Sequence, residues 1–159
     1  MMSCSIISKK DLFKEAKDHC RWKTVLNNVL LKSEFQEKNL YKFKNKSFNK
    51  ILSIVYNICN IVKGIGILTI YDITSGICRF NNINIKKIYI IGEGPKRAIK
   101  LLNIKPKSKK IGKINLKYVE IWEILKEFKE KNYGINLDIK RSKNGDDFET
   151  FLCEWQKKK

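Results

Sequence analysis

Four carboxylates near the end of the chain are the residues best suited to metal chemistry: Asp138, Asp146, Asp147 and Glu149. Carboxylate oxygens are the ligands that Mg²⁺ prefers, so this group could serve a Mg²⁺-dependent nuclease. Asp146 and Asp147 also stand where the N-cap of a last helix is expected, and acceptor side chains there satisfy the first free N–H groups of a helix. We favour this structural role and predict no metal site and no cofactor.

Other reactive side chains are few and scattered. The chain has one histidine, His19, which excludes a metal cluster built from histidines. Its five cysteines are odd in number and include no C-x-x-C pair, so they indicate neither a zinc knuckle nor a disulfide framework. Unpaired cysteines fit a reducing, intracellular compartment, and the first ten residues lack the long apolar run of a signal peptide.

Two short glycine runs carry the residues needed to hold a phosphate group. The first, KGIG at residues 63–66, follows an apolar stretch, and the second, GEGP at residues 92–95, precedes a basic segment. A phosphate binds where free backbone N–H groups at the start of a helix point towards it, with the helix dipole behind them. Glycine allows the sharp turn and close approach because it has no Cβ. Both runs are therefore candidate phosphate-binding turns.

The two glycine runs resemble the helix-hairpin-helix family of DNA-binding motifs. Residues 58–73 (ICNIVKGIGILTIYDI) have its order of an apolar helix, a G-h-G turn with h apolar, and a second helix with a hydroxyl residue near its start. The matching positions are Ile61, Gly64, Ile65, Gly66 and Thr69. Residues 90–102 (IIGEGPKRAIKLL) match at Gly92, Gly94, Pro95, Lys96, Ala98 and Leu102, with Glu93 at an apolar position of the family. The resemblance implies a tandem pair that holds both strands of a duplex across the minor groove without reading sequence.

The resemblance also bears on catalysis. Glycosylases of this family use an aspartate downstream of the hairpin, and those that cut the backbone use a lysine within it. Lys96 stands at such a lysine position, but no aspartate occurs between Ile73 and Leu137. A non-catalytic binding protein is therefore favoured. Three alternatives stay open: a Mg²⁺-dependent nuclease, a DNA glycosylase or lyase, and an interaction protein from a virus or mobile element that inhibits a host factor.

The net charge indicates a polyanionic partner. The chain has 34 Lys plus Arg against 16 Asp plus Glu, which gives a net charge of +18. Such a charge attracts nucleic acid and releases its counterions on binding, so we predict contact with backbone phosphates of DNA, or of structured RNA. The predicted contact residues are Lys63, Gly64, Ile65, Gly66, Thr69, Arg79, Gly92, Gly94, Lys96, Arg97 and Lys100. A membrane partner is not expected because no apolar run is long enough to span a bilayer.

Apolar periodicity predicts a mainly α fold, a helical domain built around one or two helix-hairpin-helix motifs with room for a short strand pair. Residues 1–46 would form an N-terminal helix and a basic loop, 47–104 the helix-hairpin-helix core, and 105–159 a basic linker and C-terminal helices packing on that core. The linker, KPKSKKIGK at residues 105–113, is expected to clamp nucleic acid electrostatically. Ser47 is predicted to cap a helix. The stripe from Leu116 to Phe128 predicts another helix with Trp122 inward, and Asp146 would begin the last helix.

Overall fold

The structure, a computed structural model, describes residues 37–60 and 65–159. These residues belong to two compact units that divide between Ile83 and Asn84. The division lies inside the segment 47–104 that the sequence suggests as one core, so this segment contributes to both units. The predicted N-terminal helix, with His19, lies outside the described residues.

The first unit is helical where it is described. Its elements are α1 (Glu37–Leu40), a 3-10 turn (Tyr41–Phe43), α2 (Phe48–Cys59) and α3 (Ile67–Phe80). The short helix and turn replace part of the predicted basic loop. The prediction that Ser47 caps α2 is confirmed, because its hydroxyl oxygen accepts a hydrogen bond from the Lys50 amide at 3.3 Å. Helices α2 and α3 pack together, and Val55 and Ile77 are among their buried apolar residues.

The second unit combines helices with an antiparallel sheet. Its elements are β1 (Lys87–Tyr89), α4 (Glu93–Leu101), β2 (Lys107–Ile111), β3 (Ile114–Glu120), α5 (Ile121–Glu130), α6 (Leu137–Arg141) and α7 (Gly145–Gln156). Strand β3 is central and runs antiparallel to both neighbours, in the order β1-β3-β2. The fold is therefore mixed α/β: the helical part of the prediction is confirmed, and a three-stranded sheet replaces the strand pair.

The segment 105–113 is not a linker. Most of it forms β2 and the turn of a hairpin with β3, in which Ile111 pairs with Ile114. Gly112, the first of the two turn residues, has a φ of +59°, which favours glycine at this position of a two-residue hairpin turn. Buried Ile114 and Leu116 flank exposed Asn115, and this two-residue alternation is the strand signal that the helical interpretation overlooked.

Helix α5 consequently begins at Ile121 rather than near Leu116. A capping box defines this start: Glu120 is the N-cap, and its backbone N–H donates to the Glu123 carboxylate at 2.8 Å. Ile124 and Phe128 then occupy the buried face. Trp122 is 59% exposed, so the prediction that it lies in the core is wrong.

One apolar cluster forms the core of the second unit, where α7 packs on α4 and β1. Its buried members are Ile88, Ile90, Ala98, Ile99, Leu102, Val119, Ile124, Phe128, Ile139, Phe148 and Leu152. The N-cap of α7 is Asn144, whose side-chain oxygen accepts hydrogen bonds from the amides of Asp146 at 3.1 Å and Ile85 at 3.3 Å. Asp146 and Asp147 therefore lie in the first turn, not at the cap, and their charge suits the positive end of the helix dipole.

Candidate nucleic-acid interface

The first glycine turn lies between α2 and α3. Ile61, Lys63 and Gly64 are outside the described residues, and the described part resumes at Ile65. Gly66 is the exposed N-cap of α3, and no side chain caps this helix start within the described part of the chain. A Cβ added at Gly66 would meet no atom within 4 Å. The first turn of α3 therefore begins at an open surface, which is what a phosphate-binding helix start needs.

Thr69 and Arg79, two further predicted contacts in the first unit, are not placed to bind a phosphate group at Gly66. Thr69 is 5% exposed, so its burial removes its hydroxyl from the candidate contacts. Arg79 lies in the last turn of α3. At a rise of 1.5 Å per residue it is about 20 Å from Gly66. Gly66 and Arg79 therefore cannot hold the same phosphate group.

The second glycine turn is not a helix-hairpin-helix. A strand, β1, precedes this turn instead of a helix. The run of β-branched and aromatic residues from Ile88 to Ile91 favours a strand. The prediction of a second helix-hairpin-helix at residues 90–102 is therefore wrong. Gly92 is the N-cap of α4, with Pro95 in the first turn as predicted. Gly94 faces α7, where an added Cβ would lie 2.6 Å from the Cys153 Sγ. Gly94 is therefore a packing residue between two helices.

The exposed face of α4 is basic. Lys96, Arg97 and Lys100 are exposed, whereas Ala98 on the opposite face is buried. Lys96 Nζ lies 2.9 Å from the Glu93 carboxylate, and both side chains are more than half exposed. A pair this exposed contributes little to stability, but it partly neutralises the start of the helix. Neither Arg97 nor Lys100 has a carboxylate of the described residues within ion-pair distance.

One segment of the second unit, residues 94–119, is basic and contains no acidic residue. Between Glu93 and Glu120 the chain has nine basic residues and no carboxylate. The nine are Lys96, Arg97, Lys100, Lys105, Lys107, Lys109, Lys110, Lys113 and Lys117. The first three lie on α4, and the other six, from Lys105 to Lys117, lie on or beside the β2–β3 hairpin and are named the hairpin lysines.

Part of the hairpin presents an exposed polar face. The register pairs Ser108 with Lys117 and Lys110 with Asn115, and all four residues are exposed. Side chains at these positions project from the same face, so Lys110 and Lys117 are diagonal neighbours of like charge. Lys113 adds another exposed charge at the turn. An anion bound across this face would relieve the repulsion among them.

Most charges of the basic segment lack an acidic partner. Lys96 pairs with Glu93, and Lys107 approaches Glu123 at 4.0 Å. No carboxylate of the described residues lies within ion-pair distance of the other seven. Three other lysines of this unit do have an acidic partner: Lys126, Lys131 and Lys157 each pair with a glutamate of their own helix or its end.

One lysine beside the hairpin is engaged within the fold. Lys87 Nζ lies 3.1 Å from the Glu120 carboxylate and 3.9 Å from the centre of the Tyr118 ring. Burial lowers the pKa of Lys87, but hydrogen bonds to Glu120 and Tyr118 outweigh this and raise it overall. In neighbouring Tyr89, burial raises the phenol pKa to about 12, with contributions from Tyr118 and Glu120. These groups stabilise the sheet rather than offering charge to a ligand.

The carboxylates considered for a metal site form no such site in the described part of the chain. Among residues 37–60 and 65–159, no cluster of three or more His, Cys, Asp or Glu side chains is placed to hold a metal ion. Asp138 is exposed, Asp146 and Glu149 are buried, and Asp147 accepts a hydrogen bond from the Ser142 hydroxyl at 2.7 Å. Burial raises the pKa of the Cys59 thiol to about 12, so it stays protonated.

Comparisons of the chain with protein-family models, with curated proteins and with solved structures give no match in any of the three. The helix-hairpin-helix resemblance of residues 58–73 rests on those residues alone. In the two ranges that the structure describes, no helix has both the length and the apolar character needed to cross a bilayer.

Proposed function

We propose that this protein binds nucleic acid through backbone phosphates without reading sequence, using the hairpin lysines and the basic face of α4 as its main contact surface. The observation that carries the proposal is nine positive charges between Glu93 and Glu120 with no carboxylate among them. Seven of them have no acidic partner in the described part of the chain. Clustered unpaired charge of this kind favours a polyanion because the complex releases condensed counterions.

The polar face of the hairpin supports contact with phosphate rather than with bases. Ser108 and Asn115 supply neutral hydrogen-bond donors between Lys110 and Lys117 on the same exposed face. Hydroxyl, amide and ammonium groups all bind phosphate oxygens, and such contacts position a nucleic acid without specifying its sequence. The sheet fixes the spacing of these groups before the ligand arrives.

The proposal is tested by removing three exposed hairpin charges together, with Lys110, Lys113 and Lys117 changed to Gln. A matched control removes three exposed charges elsewhere in the same unit, with Lys140, Lys143 and Lys158 changed to Gln. Affinity for DNA is measured over a salt series. The hairpin variant is expected to reduce the slope of log K against log salt by up to about 3, because each lost phosphate contact contributes roughly 0.9. An equal change in both variants would contradict the proposed surface.

The uncapped start of α3 supports a second, smaller contact at the first glycine turn. Gly66→Asp places a carboxylate that accepts from the free amides of the first turn, so the variant is expected to be at least as stable as the wild type. The same carboxylate would displace and repel a phosphate. Asn57→Asp, at an exposed position of α2, is the control of equal charge. Equal affinity of the two variants would remove the first turn from the interface and leave the hairpin surface in place.

A further inference from the structure

We infer that Trp122 is a stacking platform for an unpaired base, so that the preferred ligand is single-stranded nucleic acid. This rests on the proposed function, because backbone contacts with the hairpin lysines would bring the strand to the indole. It goes beyond that function by naming the form of nucleic acid and a side chain that touches a base.

Trp122 lies on the exposed side of α5, outside the core of the unit. The residue is 59% exposed, whereas Trp155, in the same unit, is half-buried with its ring centroid 5.0 Å from that of Phe128. The core positions of α5 are filled by Ile124 and Phe128. Tryptophan is enriched at binding interfaces because its ring offers a large apolar area together with a polar N–H group.

The start of α5 is linked by side-chain contacts to the sheet that carries the hairpin. Glu120 contacts Lys87 of β1 at 3.1 Å, and Glu123 contacts Lys107 of β2 at 4.0 Å. The residues on either side of the Ile121–Trp122 pair are thus linked to both outer strands of the sheet. The capping box and the less exposed Lys87–Glu120 pair help to hold the backbone that carries the indole, which reduces the entropy lost when a base stacks on it.

Basic side chains continue from Trp122 along the same face of α5. Lys126 and Lys129 follow at spacings of four and seven residues, and all three are exposed. The stripe is about 10 Å long at 1.5 Å per residue. Lys126 has a loose partner in Glu130 at 3.9 Å, and Lys129 has no acidic partner in the described residues. The indole is therefore followed by basic groups on its own helix, and Lys107 of the hairpin lies 4.0 Å from the carboxylate of the next residue, Glu123.

This combination favours a single strand over the other possible occupants. Successive bases of a single strand can stack on an aromatic ring while their phosphates follow a basic groove. Bases within a duplex are already stacked on their neighbours and do not offer a free face. A second copy of this chain would bring two basic stripes together, which charge repulsion opposes.

The test compares binding to a thymidine oligonucleotide of about 15 residues with binding to a duplex of the same length. Trp122→Ala is expected to weaken single-strand binding by roughly fivefold to a hundredfold, the range typical for loss of one stacked base. Duplex binding and both salt slopes should stay as in the wild type. Trp122→Phe should retain affinity within about threefold, since a phenyl ring also stacks, but should lose the fluorescence quenching that the oligonucleotide causes in the wild type.

Three outcomes would overturn the inference. If Trp122→Ala binds the single strand as tightly as the wild type while the Lys110/Lys113/Lys117 variant binds weakly, stacking is wrong and the proposed function stands. If the wild type binds neither form of DNA, both are wrong. If Trp122→Ala changes the sedimentation coefficient from that of a dimer to that of a monomer at equal affinity for DNA, the indole is a self-association surface.

Discussion

Gly94 on α4 and Cys153 on α7 approach so closely that a Cβ at position 94 would lie 2.6 Å from the Cys153 Sγ. The glycine of the G-x-G-P run is therefore required for the packing of two helices, independently of any ligand. Gly66, in the first glycine run, is not required for packing, because a Cβ there would meet no atom within 4 Å. Two similar glycine patterns thus have different physical causes.

We expect Gly94→Ala to destabilise the protein by about 1 to 3 kcal/mol, because the added methyl overfills a packed contact. In the double variant Gly94→Ala, Cys153→Ala the Sγ is gone, and the remaining contacts, to the Cys153 Cα and Cβ, are at 3.4 Å. The double variant should regain most of the loss. Chemical denaturation of the two single variants and the double variant gives the coupling energy. Additive effects of the two substitutions would show that the contact is not tight.

A larger loss is expected at Gly145, the first residue of α7. A Cβ there would overlap the carbonyl oxygen of Lys87 and lie 2.9 Å from that of Ile85. Backbone atoms cannot rotate away as a side chain can, so Gly145→Ala should cost about 3 kcal/mol or more. Lys143→Ala, at an exposed position two residues earlier, should change the free energy of unfolding by less than about 0.5 kcal/mol. Equal melting temperatures for both variants would contradict this packing.

The end of α4 depends on an asparagine in the left-handed conformation. Asn103 has a φ of +56°, its amide donates to the Lys100 carbonyl, and the Ile104 amide donates to the Ile99 carbonyl. This is the Schellman arrangement, which glycine favours most and asparagine tolerates. Asn103→Ala should cost about 1 kcal/mol, and Asn103→Gly should be neutral or slightly stabilising. Asn115→Ala is the control. A higher melting temperature for Asn103→Ala than for Asn103→Gly would contradict the motif.

Stability at high pH should depend on Tyr89. Its pKa in the folded protein is about 12, against an ordinary value of 10.0, so the fold retains the phenol proton more tightly than the unfolded chain does. The resulting stabilisation is complete below pH 10 and is lost as the pH rises towards 12, up to about 3 kcal/mol. The free energy of unfolding of Tyr89→Phe should therefore fall less steeply than that of the wild type over this interval. Tyr41→Phe, at a 64% exposed position, should follow the wild type.

Local signals in the sequence predict several helix boundaries correctly. Ser47 caps α2, Pro95 lies in the first turn of α4, and the last helix begins within one residue of Asp146. These features depend on hydrogen bonds and φ preferences over a few residues, which is why they can be read without the fold. The hairpin at Gly112 could also have been found, since its alternation of buried and exposed residues is local, but the many lysines made it resemble a linker.

The candidate site was only partly predictable. Arg97 and Lys100, which are predicted as contact residues from their charge, are exposed on α4. The role of Gly94 and the burial of Thr69 depend on α7 and on the packing of α3, and no local pattern reveals them. The exposure of Trp122 depends on which face of α5 packs on the core, because successive side chains of a helix point about 100° apart.

By itself, the sequence determined the excess of positive charge, the absence of carboxylates from residues 94–119 and the sparse supply of catalytic side chains, because these are properties of composition and order. The tertiary structure decided that position 66 has room for a Cβ and position 94 does not, which lysines of the described residues have acidic partners, and that Trp122 is more exposed than Trp155. Those outcomes depend on contacts between residues far apart in the chain, such as Gly94 with Cys153 and Asn144 with Ile85. Charge is additive along the sequence, whereas exposure is set by what packs against each side chain.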